Sequence, residues 1–243
     1  MNNDLLTTVT KNAVFVLEFL GLVLAVFLIA YLFEKYSKKK EEASGKAPER
    51  ILTTKKIVVI GMFSAISTVL MVFDFPVPFA PPFYKFDFSE LPAMIAGFAY
   101  GPVAGVMVEF IKIVLKVIVK GTSTAFVGEL ANFVIGCGLI LPAAVIYRMH
   151  KSRKTAIVSC ITGTVVITIV GSLFNALYLI PAFCRLYGMP LEAIIEMGTK
   201  VNPSINSVTT LVLFAVTPLN LLKGAVNSLI TLIVYKRLRG LIK

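Results

Sequence analysis

The chain has 243 residues, 57% of them hydrophobic and 15% charged, with a mean hydropathy of +0.87. This composition excludes a water-soluble domain and places the chain among integral membrane proteins. The net charge of +11 is carried largely beside apolar runs, so positive-inside topology accounts for it and no nucleic-acid partner is expected.

The first apolar run, residues 13–33, is long enough to cross ~30 Å of hydrocarbon at ~1.5 Å per residue. Lys35, Lys38, Lys39 and Lys40 follow it and only Lys11 precedes it, the reverse of a signal peptide. Residues 1–33 therefore read as an extra, retained N-terminal transmembrane helix. Residues 34–54 mix charge with Gly, Pro and Ser and read as a basic cytoplasmic linker. A six-helix membrane domain is expected over 55–243.

Its first helix, 55–73, carries Gly61-x-x-x-Ala65 and Ser64-x-x-x-Thr68, two small-residue pairs at the spacing that lets helices approach closely. Internal packing and a partner contact explain such pairs equally well. Residues 74–86 hold four prolines and five aromatics, which excludes helix and predicts a stiff extended lid. Asp87-x-x-Glu90 looks like a capping box opening a helix over 89–99. Gly101-Pro102 breaks that helix and starts the next, 103–120. Helices at 125–147 and 156–180 flank the basic loop 148–154, and the loop 181–203 has room for a short helix at 191–199. The last apolar stretch, 205–235, would reach ~46 Å as one helix, and Pro218 is expected to divide it.

Polar residues inside these spans are the informative ones, because they are expensive in hydrocarbon and face a cavity or a partner. Asn175, Asn220 and Lys223 map to the outer half of the membrane and offer amide donors and acceptors with one cation. Such groups could read a ligand edge that both donates and accepts hydrogen bonds, with aromatic and apolar side chains covering its faces. Glu109 with Lys112, and Glu129 with Lys116, read as mutual neutralisation. Asn132 and Asn227 read as interhelical hydrogen-bond partners.

The segment FDFSELPAMIAGFAYGPVAGVMVEFIK (86–112) resembles the substrate-binding S components of energy-coupling-factor (ECF) vitamin transporters, most closely the riboflavin-specific ones. SLFNALYLIPAF (172–183) and PLNLLKG (218–224) resemble the two helices that supply their ligand contacts. The resemblance implies an all-α integral membrane protein, a six-helix core bundle plus the extra N-terminal helix. It implies riboflavin capture, with FMN as an alternative ligand because the lysines of the 103–120 helix could attract a phosphate. It assigns Asn175, Asn220 and Lys223 to substrate binding, and Gly61 and Ala65, where two alanines are usual, to contact with a transmembrane coupling subunit that works with two ATPases.

Three basic segments, 34–56, 148–154 and 236–243, fall on one side if the chain crosses seven times, which puts the N-terminus outside and the C-terminus in the cytoplasm of a multi-pass cell-membrane protein. No phosphate loop, dinucleotide fingerprint or HExxH or GxSxG motif is present, so no catalytic residue, metal or cofactor is expected. Two alternatives stay open: an S component for another small vitamin or precursor, and an intramembrane enzyme acting on a lipid.

Overall fold

The structure is a computed structural model that describes residues 13–43 and 50–242, except the side chains beyond 237. Lys11, most of the 44–54 part of the linker, and the basic side chains of Arg239 and Lys243 lie outside the described residues. The fold is all-α.

Helix α1 spans Ala13–Ala43, ten residues beyond the apolar run that announced it (33 to 43). Residues 34–43 (EKYSKKKEEA) lack glycine and proline and are rich in Lys and Glu, good helix formers, so the helix continues through Ala43. Half of the expected linker is thus helical, and within it Glu34 and Lys38 are buried. Helix α2 is Thr54–Val72, with the Thr53 hydroxyl accepting from the Lys56 N–H.

The proline-rich lid folds as a hairpin in which β1, Phe75–Pro76, pairs antiparallel with β2, Lys85–Phe86, in the register Phe75↔Phe86 and Pro76↔Lys85. Helix α3, Glu90–Tyr100, follows. The expected capping box is absent: Ser89 is the N-cap and its side chain makes no capping bond, while Asp87 Oδ1 accepts the Ser89 N–H at 2.8 Å. That leaves the other Asp87 oxygen for a different partner. Gly101, at φ +106°, turns the chain directly into α4, Pro102–Lys120, a conformation that L side chains rarely adopt.

Helix α5 is Val127–Met149 and α6 runs over Arg153–Tyr187, past its expected end at 180. A π-turn, Asn175–Leu179, lies within α6. Helix α7, Leu191–Thr199, is the short helix expected in the loop after α6. Helix α8 begins at Val208, passes through a second π-turn, Val212–Val216, and continues over Thr217–Ile242. Pro218 therefore does not divide the last stretch. Each π-turn ends two residues before a proline, Pro181 or Pro218, and its wider turn makes room for a ring that cannot donate to the ladder.

Among the described residues, five helical runs are long and apolar enough to cross a membrane: α1, α2, α5, α6 and the Val208–Arg237 part of α8. Helices α3 and α4 pack between α2 and α5, and α5, α6 and α8 lie side by side. The half of the bundle away from the hairpin is closed by an apolar core in which Phe98 stacks on Tyr147 at 4.5 Å and meets Tyr235 edge-on at 5.4 Å. The half beneath the hairpin is hollow.

Candidate functional site

A cavity of about 390 Å³ opens under the hairpin, between α4, α5, α6 and α8. All three sequence-predicted ligand residues line it: Asn175 on the first π-turn, and Asn220 and Lys223 on α8 just past the second. The second π-turn shifts the register of α8 by part of a turn, so Asn220 and Lys223 downstream of it face the cavity at a new angle.

The two amides are held by their own helices. Asn175 donates to the Gly171 carbonyl at 2.7 Å and Asn220 to the Val216 carbonyl at 3.0 Å. Asn175 Oδ1 also accepts the Tyr84 hydroxyl at 2.9 Å, which fastens the lid to α6. Burial pushes the Tyr84 phenol above its ordinary value, so it stays a neutral donor.

Lys223 is not the free cation the sequence suggested. Its ammonium lies 3.3 Å from Asp87 Oδ2 and 3.3 Å from Glu90 Oε1, so two of its three donors are engaged. Lys112 donates to Ser89 Oγ at 2.7 Å and lies 2.6 Å from Glu109 and 3.7 Å from Glu90. All these groups are buried. A closed ionic cluster therefore forms the inner floor, with every cation paired to a carboxylate, the condition under which charge survives in a dry interior.

The pairs expected from sequence, Glu109 with Lys112 and Glu129 with Lys116, are both present at 2.6 Å. Glu129 also accepts from Thr122 and Thr124, which fixes the turn before α5. Asn227 is fully buried away from the cavity; it donates to the Lys223 carbonyl of its own helix at 3.0 Å and reaches Glu90 Oε2 on α3 at 3.5 Å, the interhelical partner. Asn132, given the same role, bonds the Gly128 carbonyl but also lines the cavity wall.

Sequence reasoning missed Tyr84, Asp87 and Glu90 as parts of the site. The available signal was arithmetic: a lysine in an apolar helix needs a counter-ion, and the acids preceding α3 had been assigned to capping. The apolar walls come from Phe83, Leu179, Phe183, Val216 and Leu219, with Phe83 edge-on to Phe183 at 5.9 Å. Amide edges with aromatic and aliphatic flanks fit a flat heteroaromatic ligand carrying both donors and acceptors.

Gly61 and Ala65 lie on the outward face of α2, away from the cavity, and a Cβ added at Gly61 meets nothing within 4 Å. Ser64 and Thr68 point inward, donating to the Ile60 and Ser64 carbonyls.

The profile of a family described as "ECF transporter, substrate-specific component" matches residues 55–235. A protein named riboflavin transporter FmnP from Bacillus subtilis (strain 168) is 36% identical over 189 residues, covering 77% of this chain and 94% of that protein. A riboflavin transporter RibU from Staphylococcus aureus (strain TCH60) is 34% identical over 200 residues, covering 82% of this chain and 98% of the relative. Among solved structures, one described as the S component of a bacterial ECF transporter superposes with a TM-score of 0.61 at 35% identity, covering 78% of this chain and 98% of its own.

Proposed function

The chain belongs to the substrate-specific components of ECF transporters, and from that premise we propose that it captures riboflavin outside the cell and carries it inward as the S component of an ATP-driven complex. It is a multi-pass membrane transport subunit, not an enzyme. The observation that carries the ligand reading is the convergence of Asn175, Asn220 and the ion-paired Lys223 on one cavity beneath an aromatic lid. The amides read the polar edge of the isoalloxazine ring, and Phe83, Phe183 and Leu219 cover its faces.

The lid and cavity face the exterior in this reading, which rests on the basic segments 34–56, 148–154 and 236–243. Having no phosphate loop of its own, the chain depends on a transmembrane coupling subunit and two ATPases. The coupling subunit docks on the outward face of α2, where Gly61 and Ala65 leave space for a closely approaching helix. One observation favours FMN as a second ligand. Asp74 is shared between Lys85 at 3.1 Å and Lys120 at 3.4 Å, which leaves excess positive charge at the cavity mouth.

The test is a titration of riboflavin and FMN fluorescence quenching on purified protein. Truncating Asn175, Asn220 or Lys223 to Ala leaves a polar group of the ligand unpaired, at about 1–3 kcal/mol each, or roughly 5- to 150-fold in affinity. If Asn220→Ala and Lys223→Ala both bind riboflavin like the parent, the site assignment is wrong.

A further inference from the structure

Helix α1 lies outside the family match, which begins at residue 55, yet it is built into the bundle. It fills the groove between α4 and α5, where Phe19 packs on Phe133 and Phe27 sits edge-on to Phe110 at 5.8 Å. Two acidic side chains fix its ends. At the cytoplasmic end the fully buried Glu34 accepts the Val103 N–H at 2.9 Å, capping α4 where Gly101 has no side chain to do so. Arg148 joins this contact, 3.7 Å from Glu34 and donating to the Tyr100 carbonyl at 3.3 Å.

At the other end, Glu18 accepts the hydroxyl of Tyr178. Tyr178 does not line the cavity, but it belongs to the π-turn Asn175–Leu179 whose first residue does. A carboxyl group within an apolar span needs a reason to be there, and this one meets the widened turn of the helix that carries Asn175. The two contacts are sixteen residues apart on one helix, about 24 Å along a stiff rod.

We propose that α1 is a strut of the binding site: Glu18 and Tyr178 are positioning residues that hold the π-turn bearing Asn175, while Glu34 seats the rod against the α3–α4 joint. A π-turn is intrinsically less favourable than the α-helix it interrupts, so a bond from outside selects the conformation that aims Asn175 into the cavity. This inference rests on the riboflavin reading for its affinity arm only.

The experiment uses the full chain in detergent, with Tyr178→Phe, Glu18→Ala, their combination and Glu18→Gln. Riboflavin titration is expected to show binding about three- to tenfold weaker for Tyr178→Phe and Glu18→Ala, the range of one interhelical hydrogen bond. The combined variant is expected to lose no more than either single change, since both remove the same bond. Glu18→Gln keeps an acceptor and is expected to restore parental affinity, which a general packing defect would not allow. Amide hydrogen exchange in the ligand-free protein gives an arm that needs no ligand: residues 175–179 are expected to exchange faster in Glu18→Ala and Tyr178→Phe, and at the parental rate in Glu18→Gln. Parental exchange and parental affinity in both single variants would overturn the proposal, as would losses that add in the combined variant. A parent that fails to bind riboflavin would instead overturn the ligand reading, with exchange still deciding the strut.

Discussion

Gly171→Ala is a substitution of one methyl group that should damage recognition more than folding. Gly171 lies on α6 where it meets α8, and a Cβ built there falls 2.5 Å from Asn220 Nδ2, 2.6 Å from Cγ and 2.8 Å from Oδ1. The carboxamide is already tied to the Val216 carbonyl at 3.0 Å, so it cannot give way without leaving that bond or pushing α8 from α6. Overpacking of this kind costs about 1–3 kcal/mol, and replacing a helical glycine by alanine returns about 1 kcal/mol in helix propensity. The net loss of stability is therefore about 0–2 kcal/mol. The ligand, by contrast, loses the amide proposed to read its edge, again about 1–3 kcal/mol, or roughly 5- to 150-fold in affinity. Riboflavin quenching and ligand-free thermal unfolding, measured on the same preparation, separate the two effects. Gly61→Ala, where the added methyl meets nothing within 4 Å, is the matched control and should bind like the parent. Parental affinity in Gly171→Ala would refute the placement of Asn220 in the ligand site.

A large residue at Gly61 or Ala65 should abolish riboflavin uptake in cells while leaving binding by the isolated subunit unchanged; equal loss of binding would assign the pair to packing within the chain. Gly101→Ala should lower the unfolding temperature, because φ is +106° and the new Cβ would lie 2.5 Å from Arg148 Nη1; the strain alone is about 1–3 kcal/mol. Asn227→Ala should reduce stability more than riboflavin affinity, as judged by unfolding and quenching together. For topology, in a Cys184→Ser background an impermeant thiol reagent applied to intact cells should label Ser204→Cys and spare Lys154→Cys, and the opposite pattern would invert the orientation.

How far the fold could be read from sequence depended on which forces set each boundary. Apolar length and glycine–proline breaks located α2, the α3–α4 joint and the short α7 to within a few residues, because hydrocarbon thickness and backbone sterics act locally. Helix α1 outran its apolar run because helix propensity does not stop at the membrane boundary. Pro218 was misread as a break because the π-turn before it is a cooperative adjustment with no composition of its own. At the site, Asn175, Asn220 and Lys223 stood out as polar groups in apolar spans. Asp87 was hidden by a local alternative: an acid three residues before Glu90 looks like a cap, and only the position of Lys223, 136 residues further on, shows its real partner. Glu18 and Glu34 went unread for a similar reason, since their partners on Tyr178 and Val103 are distant in sequence.

The turn that delivers the hairpin to α3 is also the one that supplies Lys223 with a counter-ion. A swing of the hairpin away from the cavity would draw Asp87 from the ammonium and the Tyr84 hydroxyl from Asn175 in a single movement. Entry of a solute and dismantling of the groups proposed to recognise it would thereby be the same event. Parting a buried ion pair costs about 3–5 kcal/mol, which slows such an opening by roughly 10²- to 10⁴-fold relative to an unlatched loop. Residence time then becomes a property of the latch. Two flavins of equal affinity would leave at the same rate if both departures wait on the parting of Asp87 and Lys223, and a stopped-flow chase would report the clock of the hinge.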